Sequence, residues 1–151
     1  QFTSTGAKDR TETFDISELV EEIILKYEND NIEKKIKKKT YFNGRKNLIT
    51  RCINNLLDNS IKYAKKISVN LEKKDSIILL SIDDDGPGVD KSEFQNITKP
   101  FYKIDKSRSD SKSSVGLGLS ISSDIIKSHG GDIKFDKSKL GGLKVIISLP
   151  Y

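Results

Sequence analysis

The sequence predicts a two-layer α/β sandwich, in which a mixed, mostly antiparallel five-stranded sheet is packed on one face by three helices. Apolar residues recur at helical spacing in three segments, and runs of strand length stand between those segments. Glycine-containing turns join several of these runs. The length of 151 residues suits one domain, and a content of 34% hydrophobic and 32% charged residues is typical of a soluble globular chain.

The composition argues against several classes of protein. The apolar runs are too short to span a bilayer, and no secretory signal is visible. The single cysteine, Cys52, excludes an internal disulfide and falls on an apolar helix face, where we expect a buried thiol. The net charge of +5 permits contact with phosphates, but the basic run at residues 34–39 lacks stacking aromatic residues and does not predict nucleic-acid binding.

The N-terminal part of the chain divides into a polar tail and a helix. Residues 1–13 lack periodicity and are predicted to be a linker or the end of an upstream helical region, with the domain spanning residues 14–151. Apolar residues at helical spacing predict a first helix over residues 16–27. Asp15 stands three residues before Glu18, which is a capping-box arrangement.

Five segments have the length and pattern of strands. Asn43-Gly44 is a turn signal that follows the first, highly charged strand. The continuous apolar run that forms the third strand is expected to return antiparallel to the second. The predicted strands cover residues 32–42, 67–71, 77–82, 132–135 and 143–149.

A long helical pattern over residues 45–64 carries polar side chains beside its apolar stripe. Asn55, Asn59 and Lys62 are spaced i, i+4 and i+7, so they share one face. Because asparagine is a mediocre helix former, two of them there indicate either a solvated edge or a binding face. An asparagine carbonyl is a hard oxygen ligand that Mg²⁺ accepts together with phosphates and waters, and Lys62 would then lie near the phosphates.

Three aspartates, two glycines and a proline follow the apolar strand at residues 83–88. Adjacent carboxylates repel one another and glycines raise the entropy lost on folding, so this segment suits a backbone that approaches a ligand closely. Adenine fits because its exocyclic amine is a donor that Asp84 can accept from, whereas guanine presents an acceptor carbonyl at that position. The alternative is a plain Asp-Gly-Pro-Gly turn.

A second glycine-rich segment lies in the C-terminal third of the chain. The polar stretch that runs to Ser114 has the composition of a long loop, and such loops inside compact domains are usually functional. Val115-Gly-Leu-Gly-Leu119 then opens a helix, whose N-terminal N–H groups favour an anion, although a Gly-x-Gly pair also permits close packing. His129, the only histidine, follows this helix and is interpreted as a capping or packing residue.

In this order, the motifs resemble those of the catalytic ATP-binding domain of sensor histidine kinases. That domain belongs to the Bergerat-fold (GHKL) ATPases, alongside DNA gyrase, mismatch-repair ATPases of the MutL kind and the large heat-shock chaperones. The resemblance covers nearly the whole chain from about residue 14, with a lid-like gap before the last motif. The segments that resemble the N box, the first glycine box, the F box and the second glycine box are residues 55–63, 84–88, 99–102 and 116–119.

The resemblance implies that the domain binds ATP with Mg²⁺, and it implies a role for each matching position. Asn59 matches the Mg²⁺ ligand, and Asp84 matches the carboxylate that selects adenine. The implied catalytic residues, which would hold the metal and the triphosphate, are Asn59, Lys62, Lys103 and Arg108. The implied nucleotide-binding residues are Asn55, Asn59, Lys62, Tyr63, Asp84, Gly86, Gly88, Val89, Tyr102, Lys103, Arg108, Gly116, Leu117, Gly118 and Leu119.

The chain departs from the family pattern at three places. Thr98 replaces the first aromatic residue of the F box, and the residues before the second glycine box are Ser113-Ser114 rather than glycines. Lys103 stands where arginine is commoner, so a bidentate phosphate contact becomes a point charge. The final glycine turn and strand, residues 141–147, resemble those of the osmosensor-type subgroup.

The resemblance also implies partners outside this sequence. Sensor histidine kinases phosphorylate a histidine on a two-helix dimerisation domain that precedes the ATP domain, and no such helical hairpin is visible here. We therefore expect an upstream histidine-containing dimerisation domain of the same protein, which would be a homodimer at full length, and a downstream response regulator. The isolated domain is expected to be monomeric and cytoplasmic, with a parent protein attached to the inner membrane.

Other functions of the same fold remain open. An ATPase clamp of the gyrase or chaperone type would use a glutamate on the N-box helix to activate water, whereas Asp58 is the only acid between Asn55 and Lys62. An anti-sigma-factor-type serine kinase would need no histidine domain, but the F-box segment weighs against it. A catalytically silent ATP-binding interaction domain would be expected to lose Asn59 or Asp84, and both are present.

Overall fold

The computed structural model describes residues 10–27, 31–99 and 114–151 of the chain. The helices within these ranges are α1 (Ile16–Lys26), α2 (Lys46–Tyr63), α3 (Ser114–Ser128) and a short 3₁₀ helix (Lys91–Glu93). The strands within them are β1 (Thr11–Asp15), β2 (Ile32–Ile36), β3 (Tyr41–Arg45), β4 (Ile67–Lys74), β5 (Ile77–Asp84), β6 (Asp132–Lys137) and β7 (Leu143–Pro150).

The larger sheet confirms the predicted fold class. Its five strands follow the order β2-β4-β5-β7-β6, and every pairing is antiparallel except that β2 runs parallel to β4. Alternate residues of β4 and β5 are buried in one core together with the apolar faces of the three helices. This core is where the helical layer and the sheet meet, and α2 and α3 pack side by side within it.

Cys52 lies in this core, as the sequence predicts. Its side chain is fully buried, and its Sγ lies 3.8 Å from the carbonyl oxygen of Ser122 in α3. Ser122 in turn donates its hydroxyl to the carbonyl oxygen of Cys52 at 3.2 Å. Burial raises the pKa of the Cys52 thiol to about 12, so this cysteine joins two helices and is not a nucleophile.

The prediction of one charged strand over residues 32–42 is wrong, because the chain turns in the middle of that segment. Lys39 adopts a left-handed backbone with φ of 57°, and the hydroxyl of Thr40 donates to the carbonyl oxygen of Lys37 at 2.6 Å. The first half becomes β2 at the edge of the main sheet, and the second half becomes β3. β3 leaves that sheet and pairs antiparallel with β1.

Two neighbouring predictions are also corrected. Asn43 and Gly44 lie inside β3 and not in a turn. Gly44 is there because a Cβ atom would overlap the ring of Phe42 and lie 2.8 Å from the ring of His129. Residues 11–13, which the sequence assigns to a linker, are part of β1. The sequence could not show this because the strand is polar and its partner lies about thirty residues away.

The predicted helix ends are confirmed where side chains cap them. The carboxylate of Asp15 accepts from the backbone N–H groups of Ser17 and Glu18 at the start of α1, at 3.0 and 3.4 Å. The carboxylate of Asp90 accepts from the N–H of Ser92, although the helix that follows is one 3₁₀ turn and shorter than predicted. Among the described residues, no helix is both long enough and apolar enough to cross a membrane.

Candidate nucleotide-binding site

Asp84 lies at the end of β5, where the central strand of the main sheet reaches the glycine turn. Its side chain is buried, and its Oδ1 accepts from the backbone N–H groups of Gly86 at 3.0 Å and Leu143 at 3.1 Å. One donor belongs to the turn that follows β5, and the other begins β7. The carboxylate is therefore held by backbone on both sides.

Burial raises the pKa of Asp84, and several hydrogen bonds oppose that rise. The opposing donors are the N–H groups of Leu143 and Gly86 and the hydroxyl of Ser60 in α2, while the neighbouring Asp85 adds to the rise. These three donors offset the burial of the carboxylate, and a carboxylate with about four acceptor positions can still accept a further donor. The site therefore has the character of a ligand-accepting carboxylate and not of a surface charge.

The side chain of Asp85 contacts the segment between α2 and β4, and its pKa is lowered where that of Asp84 is raised. Its Oδ1 accepts from the backbone N–H groups of Lys66 at 2.9 Å and Lys65 at 2.8 Å, and these two bonds lower the pKa of Asp85. Asp85 thereby ties the glycine turn to the segment between α2 and β4. Among the three consecutive aspartates, this one serves the loop structure.

The glycines of the turn permit close backbone approaches. A Cβ atom on Gly86 would lie 2.8 Å from the carbonyl oxygen of Tyr63, so only glycine lets the turn contact the end of α2. Gly88 has a φ of 73°, which other residues rarely adopt. A Cβ atom on Gly142 would overlap Asp84 Oδ1 and would lie 2.6 Å from the carbonyl oxygen of the same residue.

The polar face of α2 borders this turn. Asn55 and Asn59 are half-buried, whereas Lys62 is exposed at the end of the helix. The Oδ1 atom of Asn59 is buried and has no hydrogen-bond partner in the described part of the chain. Glu93, in the 3₁₀ helix, has the other such atom. A buried amide oxygen without a partner is costly, and it fits a ligand that supplies a cation or a donor.

The start of α3 completes the arrangement. A Cβ atom on Gly118 would lie 4.0 Å from the Cβ of Asn55, so this glycine faces the polar side of α2. Gly116 and Leu117 fall in the first turn of the same helix. Leu119 is buried in the core and lies beyond the first turn of α3, so it anchors the helix and neither its side chain nor its N–H faces a ligand.

The structure brings the N box, the first glycine box and the helix of the second glycine box together. Contacts link Asp84 to Ser60, Gly86 to Tyr63 and Gly118 to Asn55. Val89 is half-buried and packs against the core beside them. The predicted ligand-binding residues Tyr102, Lys103 and Arg108 lie outside the described residues.

Sequence reasoning missed two members of this site, Gly142 and Leu143. Both reach Asp84 through their backbone N–H groups, Gly142 to its carbonyl oxygen at 3.0 Å and Leu143 to its carboxylate. The Gly141-Gly142 pair was the available signal, but it predicts only a turn. Gly141 is indeed the turn residue, with a φ of 108° and open space around it, whereas Gly142 is required by the aspartate.

Comparisons with known proteins bear on this arrangement. A family model for the histidine kinase-, DNA gyrase B- and HSP90-like ATPases matches residues 44–151. The sensor histidine kinase GtrS of Pseudomonas aeruginosa is 32% identical over 147 residues, which are 97% of this chain and 30% of GtrS. The sensor histidine kinase CpxA of Escherichia coli is 36% identical over 108 residues, which are 71% of this chain and 24% of CpxA.

Solved structures show the same fold. The catalytic domain of the histidine kinase ThkA superposes with a TM-score of 0.79 at 24% identity, covering 93% of this chain and 95% of that domain. The histidine kinase domain of the Escherichia coli osmosensor EnvZ gives a TM-score of 0.70 at 26% identity, covering 92% and 88% respectively. The chain spans about a quarter to a third of the length of the curated relatives GtrS and CpxA.

Proposed function

This chain belongs to the family of histidine kinase-, DNA gyrase B- and HSP90-like ATPases, which confirms the motif resemblance, and we propose that it binds Mg²⁺-ATP and presents the γ-phosphate to a histidine on another domain. Its relatives are sensor histidine kinases. The single observation that carries the proposal is the buried Asp84 carboxylate, which backbone N–H groups hold beside the polar face of α2.

Adenine recognition follows from the way in which Asp84 is held. Because Oδ1 accepts two backbone N–H groups, Oδ2 is the oxygen that would accept from the exocyclic amine of adenine. Gly86 lets the turn lie against the end of α2, and Gly88 lies next to the backbone of Gly142, so these glycines hold the turn backbone beside the Asp84 carboxylate, where the base would bind. Guanine would place a carbonyl oxygen against the carboxylate and would be repelled.

The triphosphate would lie between α2 and the start of α3. Asn59 fits a magnesium site because its Oδ1 atom is buried without a partner among residues 10–27, 31–99 and 114–151, and an amide oxygen is a ligand that Mg²⁺ accepts. When bound, Mg²⁺ would neutralise phosphate charge. Lys62 would supply a positive charge from the end of α2, and the N–H groups of the first turn of α3 would contact phosphate oxygens.

The phosphoacceptor belongs to another domain. His129 is the only histidine of the sequence. Its Nε2 accepts from the backbone N–H of Arg45 at 3.0 Å, and its Nδ1 lies 2.8 Å from the carbonyl oxygen of Ile125. With both ring nitrogens engaged, His129 is a packing and capping residue, as predicted, and offers no free nitrogen to a phosphoryl group.

The partners follow from this arrangement. The acceptor histidine would lie on a dimerisation domain of the same protein, and a response regulator would then take the phosphoryl group. The ATP domain would act on the cytoplasmic side of a membrane-attached parent, since ATP is available there.

Hydrolysis as the purpose of the site is disfavoured by the position of Asp58. The hydroxyl of Tyr27 in α1 donates to Asp58 Oδ1 at 2.8 Å, so this carboxylate faces α1 and not Asn59. Water activation would need a base on the Asn59 side of α2. Among the described residues of α2, no other carboxylate is present.

A phosphotransfer experiment tests the proposal. The chain is incubated with γ-labelled ATP and Mg²⁺, alone and with the separately produced histidine-bearing region of its parent protein. We expect no label on the chain itself and an acid-labile, base-stable label on the added region. Retention of such a label by the isolated chain, or failure to label the histidine region while ATP is bound, would contradict the proposal.

A further inference from the structure

The hairpin between β6 and β7 forms hydrogen bonds with more than one residue at the end of β5. Successive residues of a strand point to opposite faces, so Asp83 cannot enter the same pocket as Asp84. Asp83 is nevertheless buried, and its Oδ2 accepts the hydroxyl of Ser138 at 2.7 Å. Ser138, also buried, is the first residue after β6.

The hydroxyl of Ser138 is fixed in direction. Its oxygen accepts the backbone N–H of Leu140 at 3.0 Å, so its proton is directed to Asp83. Backbone bonds from Ser138 to the carbonyl of Gly142, at 2.8 Å, and from Gly141 to the carbonyl of Ser138, at 2.9 Å, close the turn. The hairpin is therefore a rigid unit and not a loose loop.

The same unit then reaches the adenine side of the strand. The N–H of Gly142 donates to the carbonyl oxygen of Asp84 at 3.0 Å, and the N–H of Leu143 donates to Asp84 Oδ1 at 3.1 Å. One hairpin thus contacts the side chain of Asp83, the backbone of Asp84 and the side chain of Asp84. A shift of the hairpin would move the Leu143 donor and rotate the carboxylate.

We propose that Ser138 is a positioning residue for adenine specificity, which acts through Asp83 and the hairpin to hold the Asp84 carboxylate in the orientation that accepts the adenine amine. This inference rests on the proposed function, because it concerns the selectivity of the same site. Ser138 contacts no ligand itself. Its hydrogen bond to the buried Asp83 carboxylate is charge-assisted, so its loss costs more free energy than the loss of a hydrogen bond between neutral groups.

Selectivity and affinity can be separated with two nucleotides. ATP and purine riboside triphosphate differ only in the exocyclic amine, so their ratio of dissociation constants reports the Asp84 contact. Ser138→Ala removes the hydroxyl, Ser138→Thr keeps it, and Ser76→Ala removes an exposed hydroxyl at the far end of β5 as a control. Thermal unfolding is recorded for each variant.

We expect wild type to prefer ATP, and Ser138→Ala to reduce that preference about fivefold or more while purine riboside triphosphate binding changes less than about twofold. Ser138→Thr should restore the preference, and Ser76→Ala should leave it unchanged. An undiminished preference in Ser138→Ala, or an equal loss for both nucleotides, would overturn the inference.

Two further results keep the outcome unambiguous. If Ser138→Ala does not fold, Asp83→Asn is measured instead, because it keeps an acceptor oxygen but removes the charge, and it should show a smaller loss in the same direction. An unchanged preference in that variant would overturn the inference. If wild type binds ATP and purine riboside triphosphate equally, the proposed role of Asp84 is wrong as well. If wild type and Ser138→Ala both prefer ATP to the same degree, only the inference about Ser138 is wrong.

Discussion

At the scale of residues, the run Asp83-Asp84-Asp85 places three identical side chains in three environments. Asp83 accepts a serine hydroxyl, Asp84 accepts the N–H groups that frame the candidate adenine site, and Asp85 accepts the N–H groups of Lys65 and Lys66. The sequence singles out Asp84 through its spacing to the glycines. It could not assign the other two, because their partners lie in a hairpin and a connection distant in sequence.

The first prediction concerns Asp84→Asn. Because burial raises the folded-state pKa of Asp84, the ionised form costs stability as pH rises through that pKa, and the neutral amide avoids the cost. The amide oxygen can still accept the two N–H groups, but its NH₂ group would face the adenine amine. We expect unchanged or increased thermal stability at neutral pH and ATP binding weakened by about 2–3 kcal/mol, measured by calorimetry.

A matched control is Asp136→Asn, since Asp136 is an exposed aspartate of β6. It should change neither stability nor ATP binding by more than about 0.5 kcal/mol. An Asp84→Asn variant that binds ATP as tightly as wild type would remove Asp84 from the adenine site.

The second prediction compares two asparagines of α2. Asn59→Leu removes the buried oxygen for which the described residues offer no hydrogen-bond partner, so stability should hold or rise while Mg²⁺-dependent ATP binding is lost. Asn54→Leu replaces a half-buried amide on the α1 side of the helix, 3.2 Å from a Tyr27 hydroxyl whose proton goes to Asp58, so stability should change by no more than about 0.5 kcal/mol while binding persists. Chemical denaturation and calorimetry give both quantities. The reverse pattern would contradict the assignment of Asn59.

At the scale of elements, helices were predicted better than strands. The 3.6-residue pattern of α2 is long and unambiguous, and its predicted range, 45–64, differs from Lys46–Tyr63 by one residue at each end. The prediction of one strand over residues 32–42 was wrong because nothing in the sequence indicates the left-handed backbone of Lys39 or the pairing of β3 with β1. The prediction of a turn at Asn43-Gly44 was wrong because glycine is favoured both in turns and where aromatic rings pack closely against the backbone, as at Gly44.

The third prediction contrasts two glycines in different elements. Gly142→Ala would push a methyl group into Asp84, so we expect a loss of more than about 2 kcal/mol in the free energy of unfolding and a loss of ATP binding. Gly118→Ala adds a methyl group that meets only Asn55 at 4.0 Å inside a helix, so we expect a gain of about 0.5–1 kcal/mol. Denaturant unfolding of both variants checks the contrast, and a stable Gly142→Ala would refute the close contact.

The fourth prediction concerns the junction between the end of α3 and the start of α2. Burial lowers the pKa of His129 from 6.5, and the nearby Arg45 contributes in the same direction. The unfolded state therefore binds more protons just below pH 6.5, so stability should decrease as pH falls from 6.5 to the folded-state pKa. His129→Gln offers an acceptor and a donor without titrating, and it should remove this pH dependence in denaturation experiments. An identical pH profile in both proteins would contradict the role of His129.

At the scale of the whole molecule, the site is a junction of α2, the β5 and β7 strand ends and α3. The sequence motifs at residues 55–63, 84–88 and 116–119 lie together in the fold, and the order of these motifs was the signal for that proximity. That order could not predict that the β6–β7 hairpin belongs to the site, since that contribution comes from the N–H groups of Gly142 and Leu143, which have no side-chain signature.

Calorimetric titration with a non-hydrolysable ATP analogue, with and without Mg²⁺, would show whether Asp84 and Asn59 form an adenine-selective nucleotide site. The titration is repeated with the GTP counterpart and with Asp84→Asn. We expect binding in the micromolar range that depends on Mg²⁺, discriminates against guanine and is abolished or strongly weakened by Asp84→Asn. Equal binding of both analogues, or no binding of either, would mean that the motifs persist as scaffold without a nucleotide site.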